Sequence, residues 1–178
     1  MSSANDLQQQ GIKLFQQRDY EAAARAFQQA HESYVVDGNR ELAAEMQSNI
    51  GLVHRALGEN QQALEMMQSA LRTFQELGDQ LHTAQALGNL GGVYVALSDK
   101  EQAYNCYRQA ADMFEMLGEK KFYGETLLAM ADLQVKDGKL MQGAATYEIG
   151  LENLDQLSPS QKVLKGLLGV KNKLIGSK

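Results

Sequence analysis

Shifting the sequence by forty residues lays it over itself without a gap. A chain of that kind folds by stacking one supersecondary unit on the next, not by closing around a single core. Small residues recur in three columns: Gly11, Gly51, Gly91 and Ala131; Ala23, Ala63, Ala103 and Gly143; Ala30, Ala70, Ala110 and Gly150. Bulky residues recur in two: Phe27, Met67, Tyr107 and Tyr147, then Tyr34, Phe74, Phe114 and Leu154. Helices cross closely where side chains are kept small, and the bulky columns fill the space between one unit and the next.

The periodicity inside a unit is helical. Leu87, Leu90, Val93, Tyr94 and Leu97 fall on one face of a first helix, and Ala103, Tyr107, Ala110, Ala111 and Phe114 on one face of a second. A single Pro, no Trp, and an abundance of Ala, Gln, Leu and Glu favour helix over strand. Turns within units are expected at Leu57-Gly58-Glu59-Asn60, Leu97-Ser98-Asp99-Lys100 and Asp137-Gly138-Lys139. Between units, Gly38, Gly78 and Gly118 form a column where a helix can end in the left-handed conformation. At the fourth pass this column becomes Ser158-Pro159, and Ser158 as N-cap with Gln161 three residues on signals a ninth helix. Its Leu164, Leu167, Leu168 and Leu174 are expected on one face, with Lys162, Lys165, Lys171 and Lys173 elsewhere, as in a cap over the last exposed apolar surface.

Asn89-Leu90-Gly91, Val93-Tyr94, Ala103, Tyr107 and Ala110, echoed in the other three units, resemble the tetratricopeptide repeat over roughly residues 4–157. The period is forty instead of about 34 residues, and unit boundaries lack Pro. In this the chain is similar to the long-repeat subgroup of kinesin light chain-like and spindle-adaptor arrays. The resemblance implies an all-α, right-handed superhelical solenoid of four hairpins at about 4–37, 40–77, 80–117 and 120–157. A C-terminal capping helix and tail occupy 158–178.

It also implies a protein–protein interaction scaffold or adaptor, whose first helices line a concave groove for a peptide segment of a partner. Carried over residue by residue, that groove presents Gln9 and Ile12, with Gln8 and Phe15, from the first unit. The second unit gives Asn49, Leu52 and Arg55, with Glu45 and Ser48; the third gives Gln85, Gly88, Asn89 and Gly92, with Val95. The fourth gives Glu125, Leu128 and Asp132, with Val135. Asn49 and Asn89 are the sharpest points, because an Asn amide can grip an extended backbone as both donor and acceptor; the bland reading is an Asn that faces water. Gly88 and Gly92 leave room for a ligand, or, for Gly92, for a neighbouring helix. The carboxylate clamp of chaperone-binding relatives is not reproduced, since Gln8, Gln85 and Asn89 stand where basic residues are needed.

A net charge of -5 and a pI near 5.2 argue against nucleic acid, which is bound through clustered Lys and Arg. Cys106 with His31, His54 and His82 shows no metal-ligand spacing, and no cofactor or catalytic set is expected. His54 reads as a packing residue without an oriented partner, and Met66, Met67, Met113 and Met116 as core filling. Arg108 is a weak candidate for activating Cys106. The N-terminus, Met1-Ser2-Ser3-Ala4-Asn5-Asp6, carries no leader, and no run approaches the ~20 apolar residues of a membrane span, so a cytoplasmic location is expected. The Lys-rich last helix is the one segment with a charge suited to a membrane surface, against the plainer reading of a solvated capping face. The alternative function is a self-assembling structural protein, a homodimer joined through its terminal helices.

Overall fold

The computed structural model describes the backbone of residues 3–175 and the side chains of residues 3–169. Nine helices and no strand occur among the described residues: α1 (Ala4–Gln16), α2 (Tyr20–Val36), α3 (Arg40–Leu57), α4 (Asn60–Leu77), α5 (Gln80–Ala96), α6 (Lys100–Leu117), α7 (Lys120–Lys136), α8 (Leu140–Glu152) and α9 (Pro159–Ile175). The fold is the expected all-α array of helical hairpins.

Its punctuation is twice as regular as the forty-residue repeat implies. Every turn from α1 to α8 places one residue in the left-handed conformation, and these residues are twenty apart: Arg18, Gly38, Gly58, Gly78, Ser98, Gly118 and Gly138, with φ between 63° and 81°. The next residue reaches back five positions to close the helix, as in Asn39 N–H to Tyr34 O at 2.9 Å and Asp99 N–H to Tyr94 O at 2.9 Å. That same residue then opens the following helix. Asp19, Asn39, Asp79 and Asp99 accept a backbone N–H of the first turn through their side chains, satisfying a donor the helix cannot. Glu59, Glu119 and Lys139, in the same position, form no such bond.

Packing divides the chain within α6 into two compact units, Met1–Cys106 and Tyr107–Lys178. In the first unit each helix from α1 to α5 packs on the next, and α3 also touches α5. Ala23, Ala30, Ala63 and Ala70 are wholly buried at the crossings, with Phe27, Met67 and Phe74 packed beside them. One cluster joins Phe27, Tyr34, Met46, Ile50 and Val53 across the first two hairpins. A second joins Ala44, Ala70, Phe74 and Ala86 across the second and third.

In the second unit α7 packs on α8, and α8 meets α9. Gly150 and Leu151 are buried, and the Phe114 and Phe122 rings stack with centroids 5.3 Å apart. Here the structure corrects several expectations. Helix α8 stops at Glu152, so Leu154 is not helical, although its Cδ2 still lies against Gly124. The helix ends early because Asn153 turns its side-chain amide back onto the Ile149 carbonyl instead of prolonging the ladder. Ser158 and Gln161 cap α9 reciprocally as expected, but Leu168 is buried while Leu167 and Val163 are each 65% exposed. The apolar face of α9 is therefore narrower than the Leu spacing suggests. The side chains of Lys171, Lys173 and Leu174 lie outside the described residues, as do Met1 and Ser2. Met116 is not core filling: it follows Phe114 by two positions, which turns it to the opposite face of α6, and it is 87% exposed.

Candidate functional site

Most of the expected groove residues stand on α1, α3 and α5 of the first unit. Two hydrogen bonds tie α1 to its neighbours. The Tyr34 hydroxyl donates to Gln8 Oε1 at 2.9 Å, and Gln8 Nε2 donates to Glu45 Oε1 at 2.8 Å. Gln8 is thus a buried structural bridge between α2 and α3, not part of an open floor. Burial pushes the Glu45 carboxyl above its ordinary range; the charge of His82 pulls it back, Glu41 adds to the rise, and the Gln8 bond opposes it.

Beyond this tie, Gln9 is exposed on α1 and Ile12 packs half-buried against the core cluster. On α3, Asn49 and Leu52 are half-buried and Arg55 is exposed; on α5, Gln85, Gly88, Asn89 and Gly92 are all half-buried. Helices α3 and α5, which carry these two sets, touch within the first unit. The side-chain amides of Asn49 and Asn89 hydrogen bond to no described residue, and Arg55 has no ion partner among them. Two half-buried amides with open donors and acceptors at equivalent places on neighbouring helices are what an extended backbone needs for pairing.

Glu125, Leu128 and Asp132 stand on α7, in the other compact unit. Glu125 is exposed and lies 4.0 Å from Lys121. Leu128 is half-buried against Gly150. Asp132 accepts a hydrogen bond from the Tyr147 hydroxyl, and burial together with that bond pushes Tyr147 up to about 12. Asp132 is thus engaged within its own hairpin.

The structure also holds side-chain arrangements that the sequence reading did not find. His54, read as having no partner, holds Glu59 at 2.6 Å from its Nδ1. This contact removes Glu59 from capping α4, and no nucleophile accompanies it. His82 Nδ1 lies 2.6 Å from Asp79 Oδ2, and Glu41 brings its carboxylate to the same place. Burial alone would raise the Asp79 carboxyl, but the backbone and ring of His82 hold it below its ordinary value. These pairs escaped notice because the cap position is filled by seven different turns, and only the folded hairpin shows which histidine faces which cap. Burial pushes the Cys106 thiol up to about 11, aided by the Asp99 charge, so Arg108 does not activate it. A crevice of about 210 Å³ opens between α2, α3 and α4, lined by His31, Val35, Arg40, Ala44, Gln47 and Thr73. Neither Asn49 nor Asn89 lines it.

The tetratricopeptide repeat family model matches residues 42–116, which span the second and third hairpins. Among curated proteins no sequence match is found. The apo form of RapI superposes with a TM-score of 0.77 at 16% identity, over 98% of this chain and 50% of RapI. BtubC (BKLC) from P. vanneervenii superposes with a TM-score of 0.67 at 17% identity, over 93% of this chain and 64% of BtubC. The chain therefore spans half to just under two thirds of the length of these structures, and at such identities the likeness is one of fold. No helix among the described residues is long and apolar enough to cross a membrane.

Proposed function

We propose that this chain, whose residues 42–116 are tetratricopeptide repeat and whose helical fold is shared with RapI and BtubC, is a scaffold that holds an extended peptide segment of a protein partner. Tetratricopeptide repeats generally mediate protein–protein interaction. The observation that carries the peptide reading here is the pair of half-buried, unengaged amides of Asn49 and Asn89 on adjacent first helices. Leu52 offers apolar contact, Arg55 a free cation, and Gly88 and Gly92 two positions of α5 without side chains. The seat is centred on α3 and α5, with Gln9 and Ile12 at one side. Glu125, Leu128 and Asp132, on α7 of the second unit, are left out of this seat. The chain acts by binding, without catalytic chemistry or cofactor, in the cytoplasm.

A second reading rests on the apolar side chains left in the open on the second unit. Leu140, Met141, Val163 and Leu167 are each more than 60% exposed, and association of two copies through the C-terminal helices would cover them. Light scattering across a concentration series separates the two, since a chain that stays monomeric removes this second reading.

The peptide reading is tested by affinity capture with the intact chain and with an Asn49→Ala/Asn89→Ala variant. The expected result is a partner retained by the first and lost by the second, with unchanged thermal midpoints. The single Asn89→Ala change is expected to weaken binding by about 1–3 kcal/mol. Equal retention by both proteins would overturn the assignment of the seat.

A further inference from the structure

Glu41, Asp79 and His82 each place a ligand atom within 4.8 Å of the others. They come from two hairpins of the first unit: Glu41 from the first turn of α3, Asp79 from the cap of α5, and His82 from its first turn. The imidazole is held in place from behind, its ring stacked on buried Phe74 with centroids 5.1 Å apart and planes at 21°. The Asp79 carboxylate is anchored by the His82 backbone N–H at 3.0 Å and stands 2.6 Å from His82 Nδ1.

The charge around this trio is an independent observation. Glu45, one turn along α3, brings a third and half-buried carboxylate within the field of His82. None of Glu41, Glu45 and Asp79 pairs with a Lys or Arg among the described residues; nearby Arg40 is taken by Glu76. Two carboxylates beside one imidazole, with the Glu45 carboxylate one turn away and bonded to Gln8, leave negative charge uncompensated whether the ring is protonated or not. Partly buried charge of one sign is costly unless it is paired or coordinates a cation.

We propose that Glu41, Asp79 and His82 form a binding site for a divalent transition-metal ion of the zinc type, linking α3 to α5. One imidazole nitrogen with two carboxylate oxygens suits such an ion better than calcium or magnesium, whose sites are built from oxygen alone. With metal–ligand bonds of about 2.0–2.2 Å, the exposed Glu41 side chain must swing inward, and His82 Nδ1 exchanges its contact with Asp79 for the ion. The ring proton then resides on Nε2, and solvent completes the coordination. The positive end of the α5 dipole opposes a cation, but the Asp79 carboxylate already caps it, and two further carboxylates stand close. A bound ion would fasten the second and third hairpins together at one end of the α3–α5 pair. The site stands or falls independently of the peptide reading.

The test uses the full chain, free of any affinity tag and stripped with chelator. Zinc is titrated by calorimetry and cobalt by its visible d–d absorption. The expected result is one saturable equivalent of each metal with a raised thermal midpoint. Glu41→Gln and His82→Gln should each weaken binding about tenfold or more, while His31→Gln and His54→Gln leave it unchanged. Glu41 is exposed, so its substitution leaves the fold intact and remains informative if His82→Gln destabilises the chain. Absence of a saturable equivalent, or binding that Glu41→Gln does not weaken, would overturn the proposal.

Discussion

Hairpins α3–α4 and α7–α8 are built on the same columns, yet they distribute side-chain volume in opposite directions. In α3–α4 the first helix yields, at Gly51, and the second supplies Met67; a Cβ on Gly51 would lie 2.7 Å from Met67 Cγ. In α7–α8 the second helix yields, at Gly143 and Gly150. A Cβ on Gly143 would lie 2.7 Å from Val135 Cγ2, and one on Gly150 would lie 2.9 Å from Leu128 Cδ2. Where the first helix is also bare, at Gly124, backbone meets backbone: a Cβ there would stand 2.7 Å from the Gly150 carbonyl oxygen. A column therefore constrains the total volume at a crossing and leaves open which helix provides it. The two hairpins differ in one opening as well, since Asn39 caps α3 while Glu119 leaves α7 uncapped; Glu59 and Lys139 leave α4 and α8 alike without a side-chain cap.

The largest effect expected from this contrast is chemical. Cys106 closes the first unit, beside the point where compact packing divides, and its thiol is pushed up to about 11. The thiolate population, and with it alkylation, should rise about tenfold per pH unit from 7 to about 10, and at pH 8 the native rate should fall roughly 100-fold below that of the unfolded chain. Rapid alkylation at pH 8 would mean that α6 opens around Cys106 and that its thiol is not held in buried surroundings.

Among substitutions, Gly124→Ala should cost most, about 3 kcal/mol, because the added methyl meets a carbonyl that cannot move without separating α7 from α8. Gly51→Ala brings the same methyl as close to a flexible methionine, and the helix gains about 1 kcal/mol from losing a glycine, so the net cost should stay within about 1 kcal/mol. Equal losses in a denaturant titration would erase the distinction between backbone and side-chain crossings. Lys139→Asp should gain about 1 kcal/mol by capping α8 and removing a cation from its N-terminus, and a null result would show that the missing side-chain cap does not weaken the opening of α8. Ser98→Gly should gain about 0.5–1 kcal/mol, since Ser98 holds φ 64° where five other turns use glycine.

The architecture was legible because it is written in volume, and volume survives in a sequence. Phe27, Phe74 and Ala63 are buried where their columns require. One column was overlooked: Ala4, Ala44, Ala84 and Gly124 also line up at forty, and Ala44 and Ala84 are buried. Alanine is too common in helices to stand out there. Arg18 and Ser98 were not read as left-handed, because neither residue type signals that conformation and only the twenty-residue spacing of the glycines betrays it. Polar partnerships were the least legible. Gln8 looked like groove lining and proved to be a buried bridge, and His82 joined Asp79 and Glu41 from a different hairpin. Such pairs depend on the rotation of one helix against another, which periodicity alone leaves undetermined.

The seat on α3 and α5 is tested most directly by hydrogen–deuterium exchange of the chain alone and with its captured partner. Slowed exchange over Asn49–Arg55 and Gln85–Gly92 is the outcome the account predicts. Slowing confined to α2 and α4, around the crevice beside His31, or to α8 and α9, would contradict it.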